Sequence, residues 1–151
     1  MRDIADLAAT KALVGQEVAV SDWIDITQER IDTFADATND HQWIHVDAER
    51  CRLESPYGTT VAHGFLTLAL VPAMLQNALR LVDVGMAINY GLNKVRFPAP
   101  VPVGSRLRAR LAILAVHELA DCAQIDWGVT VEREGGGKPV CVAEFLMRRY
   151  P

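Results

Sequence analysis

Apolar positions along this chain recur at helical spacing near the start, run nearly unbroken through the middle, and alternate with polar ones in the second half. Residues 1–15 read as a short helical or irregular lead-in, with Leu7, Leu13 and Val14 free to pack and Gly15 as a stop. Glu17 to Asp25 is strand-like. Ile31, Phe34, Ala35 and Thr38 then predict an amphipathic helix, capped by Thr27, with Glu29 in its first turn and an end near Asn39. Residues 41–60 keep no period and contain Pro56 and Gly58, so they read as a long loop with one helical turn at Ala48 to Leu53. Loops of that length in a compact domain are functional or disordered, and Trp43, Ile44, Val46 and Tyr57 favour the ordered kind.

From Gly64 to about Val82 the pattern is helical but apolar nearly all round, which predicts a helix buried on all sides and kinked by Pro72. The rest is strand after strand. Met86 to Phe97 is extended, and prolines at 98, 100 and 102 break it off. Arg106 to Leu111 and Ile125 to Glu132 alternate as half-buried strands do, Glu134 to Lys138 (EGGGK) is a hairpin turn, and Val140 to Arg149 is the last strand. Strands joined by short turns pair antiparallel, and one buried helix against such a sheet makes an α+β fold.

Composition narrows this picture. The 151 residues suit one domain, 1–151. Half of them are hydrophobic and the mean hydropathy is +0.11, an excess that predicts a subunit interface as well as a core. A net charge of −4 with scattered Lys and Arg argues against a nucleic-acid partner. Cys51, Cys122 and Cys141 are an odd, unclustered set, which suggests neither a disulfide framework nor a metal site. The opening residues lack the apolar core of a signal peptide, and Val61 to Leu75 is too short to span a bilayer, so a cytoplasmic protein without a membrane span is expected.

The candidate chemistry lies between Asp40 and Gly64. An acid and an imidazole, Asp40 and His45, sit in a polar segment; His63 and Gly64 open the apolar helix, where backbone N–H groups point outward unpaired. Acid, imidazole and N–H donors are the parts needed for proton transfer beside a carbonyl.

Asn39 to Asp47 reads NDHQWIHVD and Val61 to Leu66 reads VAHGFL. This pair of segments resembles the MaoC-like, (R)-specific enoyl-CoA hydratase family, whose signature G-D-x-N-P-x-H-x-D is followed further along by V-H-G-x-L. The family's Asp falls on Asp40, its His on His45 and its glycine on Gly64, while Gln42 and Trp43 replace the usual Asn-Pro. With FPAPVPVGSRLR from Phe97 to Arg108, that variant resembles the NodN-like branch, found in actinobacteria among others. The resemblance covers the chain from about Gly15 onward.

It implies the hotdog fold: a curved antiparallel sheet wrapped around a long central helix, with residues 41–60 as a segment overhanging the active site, and a homodimer formed edge to edge. It implies reversible hydration of trans-2-enoyl-CoA to (3R)-hydroxyacyl-CoA in fatty-acid metabolism. Asp40 and His45 would hold the water and move its proton, in roles the sequence leaves open, and the Gly64 N–H would stabilise the thioester oxygen. His63, Trp43 and Tyr57 are candidate substrate contacts, against readings of His63 as structural, hydrogen-bonding across the site, and of Trp43 and Tyr57 as packing for the loop; Lys94, Arg96, Arg148 and Arg149 are candidates for the CoA phosphates, against a solvated strand edge. The CoA thioester, or one on acyl-carrier protein, is the substrate; no metal or other cofactor is expected. Competing readings are a hotdog acyl-CoA thioesterase and a non-catalytic acyl-thioester-binding module.

Overall fold

The structure is a computed structural model that describes residues 1–151. Its elements in chain order are β1 (Arg2–Ile4), α1 (Leu7–Ala12), β2 (Glu17–Val20), β3 (Ile24–Asp25), α2 (Gln28–Thr38), α3 (Trp43–Val46), α4 (Ala48–Glu54), α5 (Gly64–Ala69), α6 (Val71–Ala78), β4 (Leu79–Leu81), β5 (Met86–Arg96), β6 (Arg106–Glu118), β7 (Ala123–Arg133) and β8 (Cys141–Tyr150). The main sheet runs β2-β6-β7-β8-β5, with β3 also on β6, and every pairing in it is antiparallel.

Period-two alternation does what it predicts. Leu107, Ala109, Leu111 and Ile113 of β6, Ile125, Trp127, Val129 and Val131 of β7, and Cys141, Ala143, Phe145 and Met147 of β8 are all buried on one face. Against that face lie Leu66, Leu70, Val71, Met74, Leu75 and Ala78 of the central helices, in one continuous core. The opposite face carries the strand charges: Glu132 binds both Arg108 and Arg110, and Arg108 first of all holds its carboxyl below the usual range.

The sheet curves because its long strands are bulged. The register shifts between Ile113 and Ala115 of β6, and twice in β5, at Asn89/Gly91 and Leu92/Lys94. Each extra residue bends its strand and increases the local twist. Leu114, the extra residue of β6, lies over Gly128, where a Cβ would come within 3.0 Å of its Cδ2. Glycine there lets the bend close.

Several elements differ from expectation. The central helix stops at Ala78, and Leu79–Leu81 instead pairs in parallel with β1, forming a small second sheet. The lead-in is therefore a strand plus α1, ended by Gly15 at φ 83°. Glu17 to Asp25 is two short strands, and the loop at 41–60 holds two helices, α3 and α4. Helix α5 meets α6 at Leu70, so Pro72 falls in the first turn of α6, where its missing N–H costs no helical bond. Phe65 is 67% exposed, so the helix is not apolar-packed all round. No helix is long and apolar enough to cross a membrane.

Candidate active site

Helix α2 sets the first side chain. Thr27 Oγ1 accepts from the Arg30 N–H at 3.2 Å, and the helix ends with Asn39 in the left-handed region at φ 56°. The chain turns back there, with the Asp40 N–H donating to the Ala35 carbonyl at 3.1 Å. Asp40 is thus held by its backbone while its side chain stays exposed.

Helix α3 sets the second. Gln28 of α2 donates to the His45 carbonyl at 2.8 Å and accepts from Thr60 Oγ1 at 2.6 Å. The Val61 N–H donates to the Ile44 carbonyl at 3.0 Å, so α3 is clamped to the strap leading into α5. His45 is buried, and its Nδ1 lies 2.6 Å from the Val61 carbonyl. A carbonyl only accepts, so Nδ1 carries the proton and Nε2 keeps its lone pair. Burial pushes the His45 pKa below 6.5; the Val61 bond opposes this, nearby His63 adds to it, and Asp40 weakly opposes.

His63, the residue just before α5, completes the cluster. Its Nε2 donates to the Asp40 carbonyl at 2.9 Å and its ring stacks on His45 with centroids 3.7 Å apart. Donor atoms of Asp40, His45 and His63 lie within 4.8 Å of one another. The two ring planes are only 24° apart, so their in-plane lone pairs do not converge on one ion at the roughly 2.0–2.1 Å that a Zn–N bond requires. The set suits proton transfer better than metal binding.

A cleft of about 340 Å³ opens beside His45, walled by Ile44, Tyr57, Ala62, Gly64, Thr67, Phe97 and the 98–101 strap. Helix α5 presents its first turn here: intrahelical bonds begin with Leu66 and Thr67 donating to the His63 carbonyl, so the Gly64 and Phe65 N–H groups precede them. A Cβ on Gly64 would meet the Phe97 ring at 2.9 Å. Any larger residue there would have to push the ring aside.

The structure brings Asp40, His45, His63, Gly64 and Tyr57 together. Trp43 packs the overhang, with the Arg50 guanidinium 4.3 Å above its ring. Lys94 pairs with Glu144 at 3.3 Å, and Arg96 stands next to Phe97 at the cleft. Arg148 lies 3.5 Å over Tyr90 and opposite Ile88, about 30 Å along β5 from Phe97 at strand rise. Arg149 does not fit a phosphate role: its guanidinium is buried and bound to Asp83 at 2.6 Å. Sequence reasoning missed Gln28, Thr60, Phe97 and the Val61 carbonyl. Only Phe97 carried a signal, as an aromatic ahead of a proline strap. Cys51 and Cys141 are buried, with their thiol pKa values raised by desolvation, that of Cys141 to about 11.

The profile of the family described as MaoC like domain matches residues 9–134. The 3-hydroxyacyl-thioester dehydratase Z of Mycobacterium tuberculosis is 53% identical over 149 residues, covering 98% of this chain and 98% of the relative. Nodulation protein N of Rhizobium leguminosarum bv. viciae is 43% identical over 143 residues, covering 93% of this chain and 88% of the relative. Among solved structures, the R-hydratase PhaJ1 from Pseudomonas aeruginosa superposes with a TM-score of 0.72 at 25% identity, over 89% of this chain and 79% of that one.

Proposed function

Since this chain belongs to the MaoC-like dehydratase family, we propose that it is an (R)-specific hydratase, interconverting trans-2-enoyl and (3R)-hydroxyacyl thioesters by syn addition of water. It has the hotdog fold and is a hydro-lyase. The observation that carries the finer reading is the His45 Nδ1 to Val61 carbonyl bond, which leaves a bare Nε2 beside Asp40 at the head of α5.

The chemistry follows from that tautomer. Water lies between Nε2 of His45 and the Asp40 carboxylate. His45 takes one proton as the water oxygen bonds to C3 and the C2–C3 π electrons move toward the thioester carbonyl. The Gly64 N–H meets the charge on that oxygen. The proton then passes from the imidazolium to C2 on the same face, which makes the addition syn and leaves His45 neutral again. Asp40 orients the water and stabilises the transient imidazolium. Positioned acid–base groups of this kind contribute about 10²–10⁴-fold in rate. No step here draws on a metal or a redox cofactor.

A seam between α5–α6 and β5 suits the acyl chain. Gly64, Leu68, Pro72 and Gln76 form one i, i+4 row on the helices. Two apolar cavities that share Pro72, Asn89 and Phe145 continue along that row from Leu68 to Leu79. The row spans about 18 Å from Gly64 to Gln76 at helical rise.

Strand β5 ends the sheet with one edge unpaired, and Met86, Ile88, Tyr90 and Leu92 on it are exposed. A long apolar edge seeks another strand, and we assign it to a second copy, β5 against β5 in a homodimer.

Purified protein mixed with crotonyl-CoA tests the reading. Loss of enoyl-thioester ultraviolet absorbance, with (3R)-hydroxybutyryl-CoA and no free CoA as product, is the expected result. Free CoA would instead mark a thioesterase, and no turnover with short or long enoyl chains, on CoA or carrier protein, would leave a binding module.

A further inference from the structure

We infer that His63 is the positioning residue of this site, holding the Asp40 main chain and the plane of the His45 ring at once without touching substrate. The role rests on the hydratase reading above; the geometry behind it does not. His63 is 2% exposed, and the cleft is walled by Ala62 and Gly64 on either side of it but not by His63 itself. Its ring lies behind the wall, with Phe34 at 5.0 Å and His45 at 3.7 Å. It does not cap α5 either, since its side chain makes no hydrogen bond to that helix.

Its one side-chain bond runs 23 residues back along the chain, from Nε2 to the Asp40 carbonyl. Together with the Asp40 N–H on the Ala35 carbonyl, that bond fixes both backbone groups of Asp40 and leaves only its carboxylate free to turn. Since the carbonyl demands a proton on Nε2, neutral His63 has an unprotonated Nδ1, and that atom is buried with no partner. A second proton there would have no acceptor. Its ring, stacked on His45, opposes charge there. The titratable groups facing the pair are Asp40 from the α2–α3 turn and Tyr57 from the cleft wall; α2 contributes neutral Gln28 and Phe34, and the 98–101 strap is apolar.

The test compares His63→Ala and His63→Gln with wild type by steady-state kinetics and by nitrogen-15 NMR of the histidine rings. Wild-type His63 should show the Nε2–H tautomer; a proton on Nδ1 overturns the inference whatever the variants do. In His63→Ala, kcat should fall about 10- to 100-fold from misplacement of Asp40 and His45, with KM changed less than about twofold. The titration midpoint of His45 should rise. His63→Gln, whose amide can still donate to the Asp40 carbonyl, should recover most of kcat while leaving the His45 midpoint raised. An unchanged kcat and midpoint in folded His63→Ala, or an increase confined to KM, would overturn the assignment. Should His63→Ala not fold, an unchanged midpoint in His63→Gln would do the same. If the wild type turns over no enoyl thioester yet the tautomer and midpoint behave as stated, the reaction is wrong and the geometry stands.

Discussion

Replacing Gly64 by alanine separates the oxyanion role from packing. The added methyl would sit 2.9 Å from Phe97 Cδ2, 3.0 Å from Cγ and 3.1 Å from Cε2. Comfortable carbon–carbon contact needs about 3.5–4.0 Å, so the ring must move by roughly 0.5–1 Å. Phe97 is 39% exposed and has room to swing outward, so the stability loss should stay near the low end of overpacking costs, about 1 kcal/mol. The rate should suffer far more. The methyl and the displaced ring crowd the approach to the Gly64 N–H, and losing one such donor costs about 10²–10³ in kcat. The assay is crotonyl-CoA turnover followed by enoyl absorbance, with thermal unfolding in parallel, for Gly64→Ala, Phe97→Ala and the double variant. Removing the ring should restore stability to the double variant without restoring kcat. Wild-type kcat in Gly64→Ala would refute the reasoning; full recovery in the double variant would show that crowding by Phe97, not the N–H, limits the single variant.

Asp40→Asn and His45→Gln should each lower kcat by about 10²-fold or more while leaving circular dichroism and oligomeric mass unchanged, and full activity in either would break the assignment. Because the folded-state pKa of His45 lies below 6.5, the unfolded chain binds its proton first as pH falls. Stability should thus be insensitive to His45 above that value, decline below it and level off past the folded pKa, and His45→Gln should flatten the decline in urea titrations. Tyr90→Glu keeps a partner for Arg148 but charges the β5 edge, so light scattering should show the dimer shifting toward the 16.6 kDa monomer. Leu68→Trp should block the seam, losing dodecenoyl-CoA turnover and sparing crotonyl-CoA; equal loss of both would place the acyl chain elsewhere.

The sheet was legible because its inner face is buried continuously, which forces strict alternation on β6, β7 and β8. The same alternation carried a warning that went unused. Arg149 is in phase with Cys141, Ala143, Phe145 and Met147, so the strand must turn it inward, whereas Arg148 points out. Naming both as candidates for the CoA phosphates ignored the pleat, and the structure separates them as phase requires. The β1–β4 pair was not legible. It joins segments more than seventy residues apart, and the apolar run simply continued past Ala78 with no stop residue to mark the end of the helix. Pro72 was ambiguous for a similar reason, since one proline fits both a kink and a first turn.

At the site, side-chain identity was legible and main-chain chemistry was not. Asp40, His45 and Gly64 could be proposed from their match to the two segments of the family signature, because the roles it implies call for those residue types. The feature that decides how His45 works is a carbonyl from Val61, 16 residues away, and any residue supplies a carbonyl. The clamp from Gln28 is equally silent: a glutamine in the first turn of a helix is ordinary until the fold sets it between Thr60 and the His45 carbonyl. His63 stands between these cases. Its imidazole suggested either a structural bond across the site or a substrate contact, and its location behind Ala62 and Gly64, which separates the two, is a property of the turn into α5, visible only once the chain is folded. The sequence pattern thus named the groups proposed to react. The tautomer that would let His45 accept a proton from water is set by the Val61 carbonyl, a backbone atom that no residue-level signature reports.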